Sequence, residues 1–257
     1  MANTHSLDLE YSSSQYAFIT DANQTGLDIT GDITIEAWIK LEQLPSSVSN
    51  NFAIISKWNR QTANESYKLS VESDDKLSFA FDDTGVHAVE NFVFVQANTA
   101  FDGDDVGVWI HVAATADVSA GAAGVILYVN GSPVANTDVF DSATSIFSGT
   151  GEFRVGAAIG SAGEVDDPFD GLVDEGRVFT DIRTPTEISD NYQQELAGSE
   201  GNLVAYYKFN NDYTDSQTAG NNDLTGAPAD PAPVFSTDVP FAGITGTSDR
   251  LLRGMGS

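Results

Sequence analysis

Residues 33–40 read ITIEAWIK, and this stretch decides the fold. Ile33, Ile35, Ala37 and Ile39 fall on one face, and Thr34, Glu36, Trp38 and Lys40 on the other. That is the period-two pattern of a strand with one face in a core. The second face is not simply wet, because it carries Trp38. Similar runs recur along the chain: YKLSVES, KLSFAFDD, FVFVQAN, WIHVAAT, VILYVNG and FRVGAAI, each bounded by Gly, Asn, Asp or Ser. Their spacing predicts an all-β chain, a jelly-roll β-sandwich of two antiparallel sheets. Asn130-Gly131 stands between two apolar runs, and both residues tolerate φ > 0, so a tight hairpin is expected there.

One short surface helix of about three turns is expected. Thr184 caps it, Pro185 fills the first helical position, Glu187 completes a capping box, and Ile188, Tyr192 and Leu196 follow at a spacing of four. The segment from Asn210 to Pro233 is rich in turn residues and reads as a long ordered loop or a terminal linker. No repeat of a solenoid or propeller is visible. Residues 1–240 are expected to form a single domain and 241–257 a linker or tail.

The 257 residues include 38 acidic and 11 basic ones, a formal charge of -27. A field of that sign repels nucleic acid and anionic membranes, which excludes nucleic-acid partners. It suits an exported protein, a divalent-cation binder or a protein from a salty habitat. The absence of cysteine excludes disulfides and thiol chemistry. No apolar run is long enough for a membrane helix, and the N-terminus lacks the pattern of a signal peptide. Membrane insertion is therefore not expected, and the chain reads as a mature or excised segment or as a cytosolic protein.

Taken in order, SLDLEYSSSQYAFITD, ITIEAWIK, IISKWN, WIHVAAT, ILYVNGSPVA, FRVGAA, FDGLVDEGRVF, TPTEISDNY and LVAYYKFN resemble a laminin-G-like jelly roll of the concanavalin A-like lectin and glucanase superfamily, over residues 6–210. The resemblance implies two packed sheets, often a bound Ca²⁺ ion, and carbohydrate-binding or cell-adhesion roles in extracellular or cell-surface proteins. Enzymes share the fold, so the fold leaves function open.

Residues 167–179, DPFDGLVDEGRVF, hold the carboxylates that need explaining. On a regular strand Asp174 shares a face with Leu172 and Val178, and Glu175 shares the other with Val173, Arg177 and Phe179. A carboxylate on an apolar face needs partners. Asp174 either accepts backbone N–H groups or binds Ca²⁺. The resemblance favours a structural Ca²⁺ at Asp174, with Asp170 and Asp21 as secondary ligands. Glu175 and Arg177 are placed to pair. The loop acids Asp102, Asp104 and Asp105, and Glu164, Asp166 and Asp167, are either solvated charge or a rim Ca²⁺ site that bridges to a ligand. Neither group is an EF-hand loop.

Catalysis is not expected. The nearest approach to the paired acids of glucan-cleaving relatives, Glu164 to Phe169, lacks the final acid and contains Pro168. His5, His87 and His111 are scattered, and His111 reads as a packed histidine. Trp38 and Trp109 read as core. Trp58, Asn59 and Arg60, after the strand IISK, are the expected rim contacts for a polysaccharide or glycan; the opposing reading has Trp58 plugging the end of the sandwich. The expected function is a non-catalytic, calcium-containing carbohydrate-binding or adhesion module of an exported protein. The alternative is a spacer or a module binding a surface protein without a sugar. Glycosylation triplets at Asn23, Asn64 and Asn130 carry weight only in a eukaryotic secretory pathway.

Overall fold

A computed structural model of the protein describes residues 3–86, 88 and 90–241. His87 and, apart from Phe241, the expected tail at 241–257 lie outside them. The Ile33–Leu41 strand sits in the middle of one sheet, paired along its length with Trp109–Ala116 and on its other side with Gly171–Phe179. From edge to edge this first sheet runs Ser132–Val134, Val125–Val129, Trp109–Ala116, Ile33–Leu41, Gly171–Phe179, Ser6–Leu9 and Val234–Ser236; Leu203–Tyr207 pairs with the second half of Gly171–Phe179. The second sheet runs Asn136–Asp141, Phe92–Ala100, Lys76–Gly85, Asn64–Val71, Phe52–Asn59, Phe153–Val155, Tyr16–Ile19 and Thr225–Ala227.

The two inner faces form one core. Ile33, Ile35, Ala37 and Ile39 meet Ile55, Tyr67, Leu69, Phe79, Phe81 and Val93 of the facing sheet, all fully buried. Face-to-face packing of this kind makes a jelly roll of two antiparallel sheets.

The strand Gly171–Phe179 departs from the expected alternation. A bulge between Asp174 and Arg177 sets four residues against the three from Trp38 to Glu36, with Glu175 at φ 52°. The extra residue reverses the faces beyond it. Val178 therefore lies in the core beside Val173, opposite the face that carries Asp174 and Leu172. Gly176 takes a core-side position where an added Cβ would meet Ile55 and Tyr207 at 3.6 Å or more, which is ordinary contact.

The hairpin at Asn130-Gly131 has both φ angles positive, 49° and 73°, as a two-residue turn requires. Gly131 also has to be small, because a Cβ there would lie 2.6 Å from the Tyr192 ring.

The helix is shorter than its spacing suggests. It spans Pro185–Asn191 with the Thr184–Glu187 capping box formed. Beyond it the Arg177 guanidinium donates to the carbonyls of Asn191 and Gln194 at 3.2 and 2.6 Å and ties down the turn that follows. Leu196 still packs, against Phe179, Leu203 and Tyr206.

The turn-rich segment beyond Asn210 is neither plain loop nor linker. Its strands Thr225–Ala227 and Val234–Ser236 add to Tyr16–Ile19 and Ser6–Leu9, covering an edge of each sheet. Trp109 is not a core residue; it is half-buried and its indole N–H donates to Asp238 at 2.8 Å.

Candidate functional site

Each sheet also has an outer face, and the two are finished differently. On the second sheet one row of neighbours across the strands reads Ser56, Lys68, Ala80, Phe94, Phe140. Small Ala80 between a lysine and two phenylalanines leaves a depression. Trp58 joins this face by simple alternation with Ser56, and Lys57 between them turns the other way beside Tyr67; the irregularity here is the extra residue Ser66 on the paired strand. The strand thus runs on to Asn59, and Trp58 lies on its outer face instead of in a rim loop or at the sandwich end. It is 4 % exposed and meets Phe92 edge-on at 5.9 Å. Phe92 stacks on Phe94 and contacts Phe140, which is 37 % exposed.

With the aromatics, Asn50, Asn51, Arg60, Asp166 and Asp167 line a cleft of about 400 Å³. The acidic wall comes from a distant segment. Asp166 pairs with Ala158 in a short ladder, and Asp167, at φ 51°, accepts the Ala53 N–H on its carbonyl at 2.8 Å. Phe169 then plugs into the core against Phe52 and anchors the crossing.

The charges of the cleft are partly spent. Lys68 Nζ lies 2.6 Å from Asp167 Oδ2, both side chains nearly buried. Burial opposes the lysine's charge, but Asp167 and Glu72 outweigh it and push its pKa up. Burial and the neighbouring Asp167 raise the Asp166 carboxyl above its ordinary range. Arg60 is held loosely: its nitrogens stand 3.6 Å from Asp166 and 3.7 Å from Glu65, beyond hydrogen-bond reach, and its side chain is 47 % exposed. Its N–H groups remain available to a ligand.

Of the residues singled out in the sequence, Trp58, Arg60, Asp166 and Asp167 come together here. Asn59 does not. Its carbonyl oxygen accepts the N–H groups of Gln61 and Thr62, and it faces a separate open depression shared with Asp21 and Arg154. Phe92, Phe94, Phe140 and Lys68 were not anticipated. FVFV carried a signal for two of them, since it is apolar on both faces and one face had to lie outside the core. DVFD carried none for Phe140.

The three acids expected to hold metal are far from forming one site. Asp21 accepts from Lys57, whose buried ammonium also meets Asp28, Gln24 and the Gly151 carbonyl at 2.6 to 3.2 Å. A lysine thus occupies the place a cation would take. Asp174 accepts from Asn3 Nδ2 and from the Glu175 N–H, both at 2.8 Å, and burial followed by the charge of Glu175 raises its pKa well above the ordinary value. Asp170 alone stands in a convergent group: its carboxylate oxygens and those of Glu10 and Glu42 lie within 4.8 Å of one another. Burial and the charges of Asp8, Glu10 and Asp170 raise the Glu42 pKa.

The outer face of the first sheet carries a second set of charges. Arg177 pairs with Glu36 and Glu175 at 3.2 and 2.7 Å, Glu175 also accepts from Tyr206 Oη, and Glu36 meets His111 Nε2 at 3.0 Å. Burial pushes the Glu36 pKa up, but Arg177 and His111 prevail and hold it at about 2. Burial lowers that of His111, against the opposing pull of Glu36. The helix Pro185–Asn191 and the chain to Gln194 cover this set, so no ligand reaches it.

The model of the concanavalin A-like lectin/glucanase superfamily matches residues 12–189. Among solved structures, a candidate carbohydrate-binding protein from Bacteroides ovatus is similar at 20 % identity and a TM-score of 0.64; the match covers 94 % of this chain and 62 % of that one. A heptameric SAP-like pentraxin from Limulus polyphemus is similar at 14 % identity and a TM-score of 0.55, covering 87 % and 92 %. At such identities the likeness is one of fold. No curated protein matches the sequence.

Proposed function

The chain belongs to the concanavalin A-like lectin/glucanase superfamily, and on that premise we propose that it is a non-catalytic carbohydrate-binding module of an exported protein, with the glycan seated in the cleft of the second sheet. One observation carries the reading: the aromatic rings of Trp58, Phe92, Phe94 and Phe140 and the polar groups of Asn50, Asn51, Arg60 and Asp166 line one cleft of about 400 Å³. A pyranose ring has the same two-sided chemistry. Its C–H face packs on aromatic rings while its hydroxyls seek amide, carboxylate and guanidinium groups, and a cleft of this size and lining is a normal ligand site. Of the three carboxylates that line the cleft, Asp167 faces Lys68, Asp166 faces Arg60 and Glu72 accepts from two serine hydroxyls. Each has a partner within the protein, which supports a role in positioning a ligand and not in the acid and base work of glycoside hydrolysis.

Calcium enters the proposal at Glu10, Glu42 and Asp170. The donor set fits an oxygen-ligated cation, because three carboxylates converge; burial, then the charges of Asp8, Glu10 and Asp170, raise the Glu42 pKa. Bound there, Ca²⁺ would neutralise that repulsion and stabilise the fold. A spacer or protein-binding role without a sugar draws on one other observation: Val139 and Phe140 are exposed on the edge strand Asn136–Asp141.

The test is a broad glycan array probed with wild-type protein and with Phe140→Ala, in Ca²⁺ and in chelator. Wild-type binding that the substitution abolishes, with the melt unchanged, supports the glycan cleft. Silence from folded wild-type protein on every glycan overturns it in favour of protein binding. A melting temperature that does not move on chelation rules out the cation.

A further inference from the structure

We infer that the cleft selects neutral pyranosides and rejects uronate-bearing or sulfated ones, an inference that rests on the cleft being a glycan site. Two cations line it, Arg60 and Lys68, against three anions, Glu72, Asp166 and Asp167. Lys68 is committed to Asp167 at 2.6 Å and is nearly buried, so it offers a ligand little charge. Arg60 alone keeps free donors, and a ligand anion reaching it would also come close to Asp166 and Glu65, 3.6 and 3.7 Å from its nitrogens. Glu72 accepts from the Ser70 and Ser78 hydroxyls at 2.7 and 2.6 Å, which fixes its carboxylate in the lining of the cleft. The aromatic rings that share the lining lower the local dielectric and leave these charges poorly screened. The protein's net charge of -27 adds a long-range field of the same sign.

Arg60 is thereby a specificity-determining residue of a particular kind. Hemmed in by carboxylates, it donates hydrogen bonds to neutral hydroxyl or ring oxygens, which bring no charge of their own. Phe94 and Phe140 supply the complementary demand, a sugar face with a continuous patch of C–H groups, as gluco-configured rings present.

Calorimetric titrations with cellohexaose as the neutral probe and hexagalacturonate as the acidic one, each at about 20 mM and about 500 mM salt, test this. Cellohexaose is expected to bind with an affinity that salt hardly changes. Hexagalacturonate should bind at least about tenfold more weakly at low salt, and the gap should shrink at high salt as repulsion is screened. The double variant Asp166→Asn/Glu72→Gln should narrow the gap at low salt, and Arg60→Gln should weaken cellohexaose only several-fold. Tighter binding of hexagalacturonate, weakened by salt and abolished by Arg60→Gln, would overturn the selectivity and make Arg60 an anion site while keeping the glycan cleft. Binding of neither probe, together with a silent glycan array, would remove the cleft reading itself and this inference with it.

Discussion

The outer faces of the two sheets are built from the same parts and end as different things. Each sets a buried cation against carboxylates and surrounds them with aromatic rings: Arg177 with Glu36, Glu175, Tyr206 and Trp38 on the first sheet, Lys68 with Asp167, Trp58 and Phe92 on the second. On the first, the helix Pro185–Asn191 and the following turn close over the charges, and Trp38 stacks on Tyr192. On the second, among the described residues, no element closes over the cleft, and Arg60 and Phe140 keep part of their surface exposed. What separates a structural network from a binding surface is thus the lid and not the residue types beneath it.

The comparison is broken most severely at Arg177. Arg177→Met leaves Glu36 and Glu175 without their cation in a dry site and is expected to cost about 3–5 kcal/mol by urea denaturation. Adding Glu36→Gln and Glu175→Gln should recover much of that, since the penalty lies in the stranded charges. Lys68→Met strands Asp167 at the edge of a wet cleft, so the loss should be smaller, about 1–3 kcal/mol by the same method. If the two losses were equal, the distinction between the faces would fail.

The lid can be loosened directly. Thr184→Ala removes the helix cap and should cost about 1 kcal/mol, read as a lowered melting temperature. Phe140→Ala should change stability by no more than about 0.5 kcal/mol, because the ring stands at an open edge, and yet abolish glycan binding.

Acid titration sharpens the same contrast. The folded pKa of Glu36 is about 2, below its unfolded value of 4.5, so its contribution is complete above pH 4.5 and is lost as the pH falls toward 2. Asp174 runs the other way. Its folded pKa is raised, so its contribution is present below the unfolded value of 3.8 and is lost as the pH rises through the folded one. Asp174→Asn is therefore expected to raise the melting temperature at neutral pH, with the Asn3 amide turning to present its oxygen. A lowered melting temperature instead would mean that the carboxylate has a use, such as a metal.

Much of the fold was legible because its signals are local. The alternation in ITIEAWIK, the Asn-Gly turn and the Thr184–Glu187 box each act within a few residues, and each is realised. The faces of DPFDGLVDEGRVF were misread beyond Glu175 because a bulge depends on the neighbouring strands. The partner of Asp21 was hidden for a similar reason. Lys57 reads as an ordinary polar position of an alternating strand until the fold brings Asp21 and Asp28 to it. Part of the candidate cleft was visible as Trp58, Arg60, Asp166 and Asp167, but as two separate groups about a hundred residues apart in the chain.

By itself, the sequence determined an acidic chain of short amphipathic strands, two packed faces, one capped helix and no thiol chemistry, because composition and period-two patterning act residue by residue. The tertiary structure alone decided which outer face the described helix covers, that Asp166 and Asp167 share a cleft with Trp58, and that Asp21 is engaged by a buried lysine. Alternation says which side chains leave the core. What then covers them depends on chain crossings far apart in sequence, whose cost and reward are settled only when both sheets are in place.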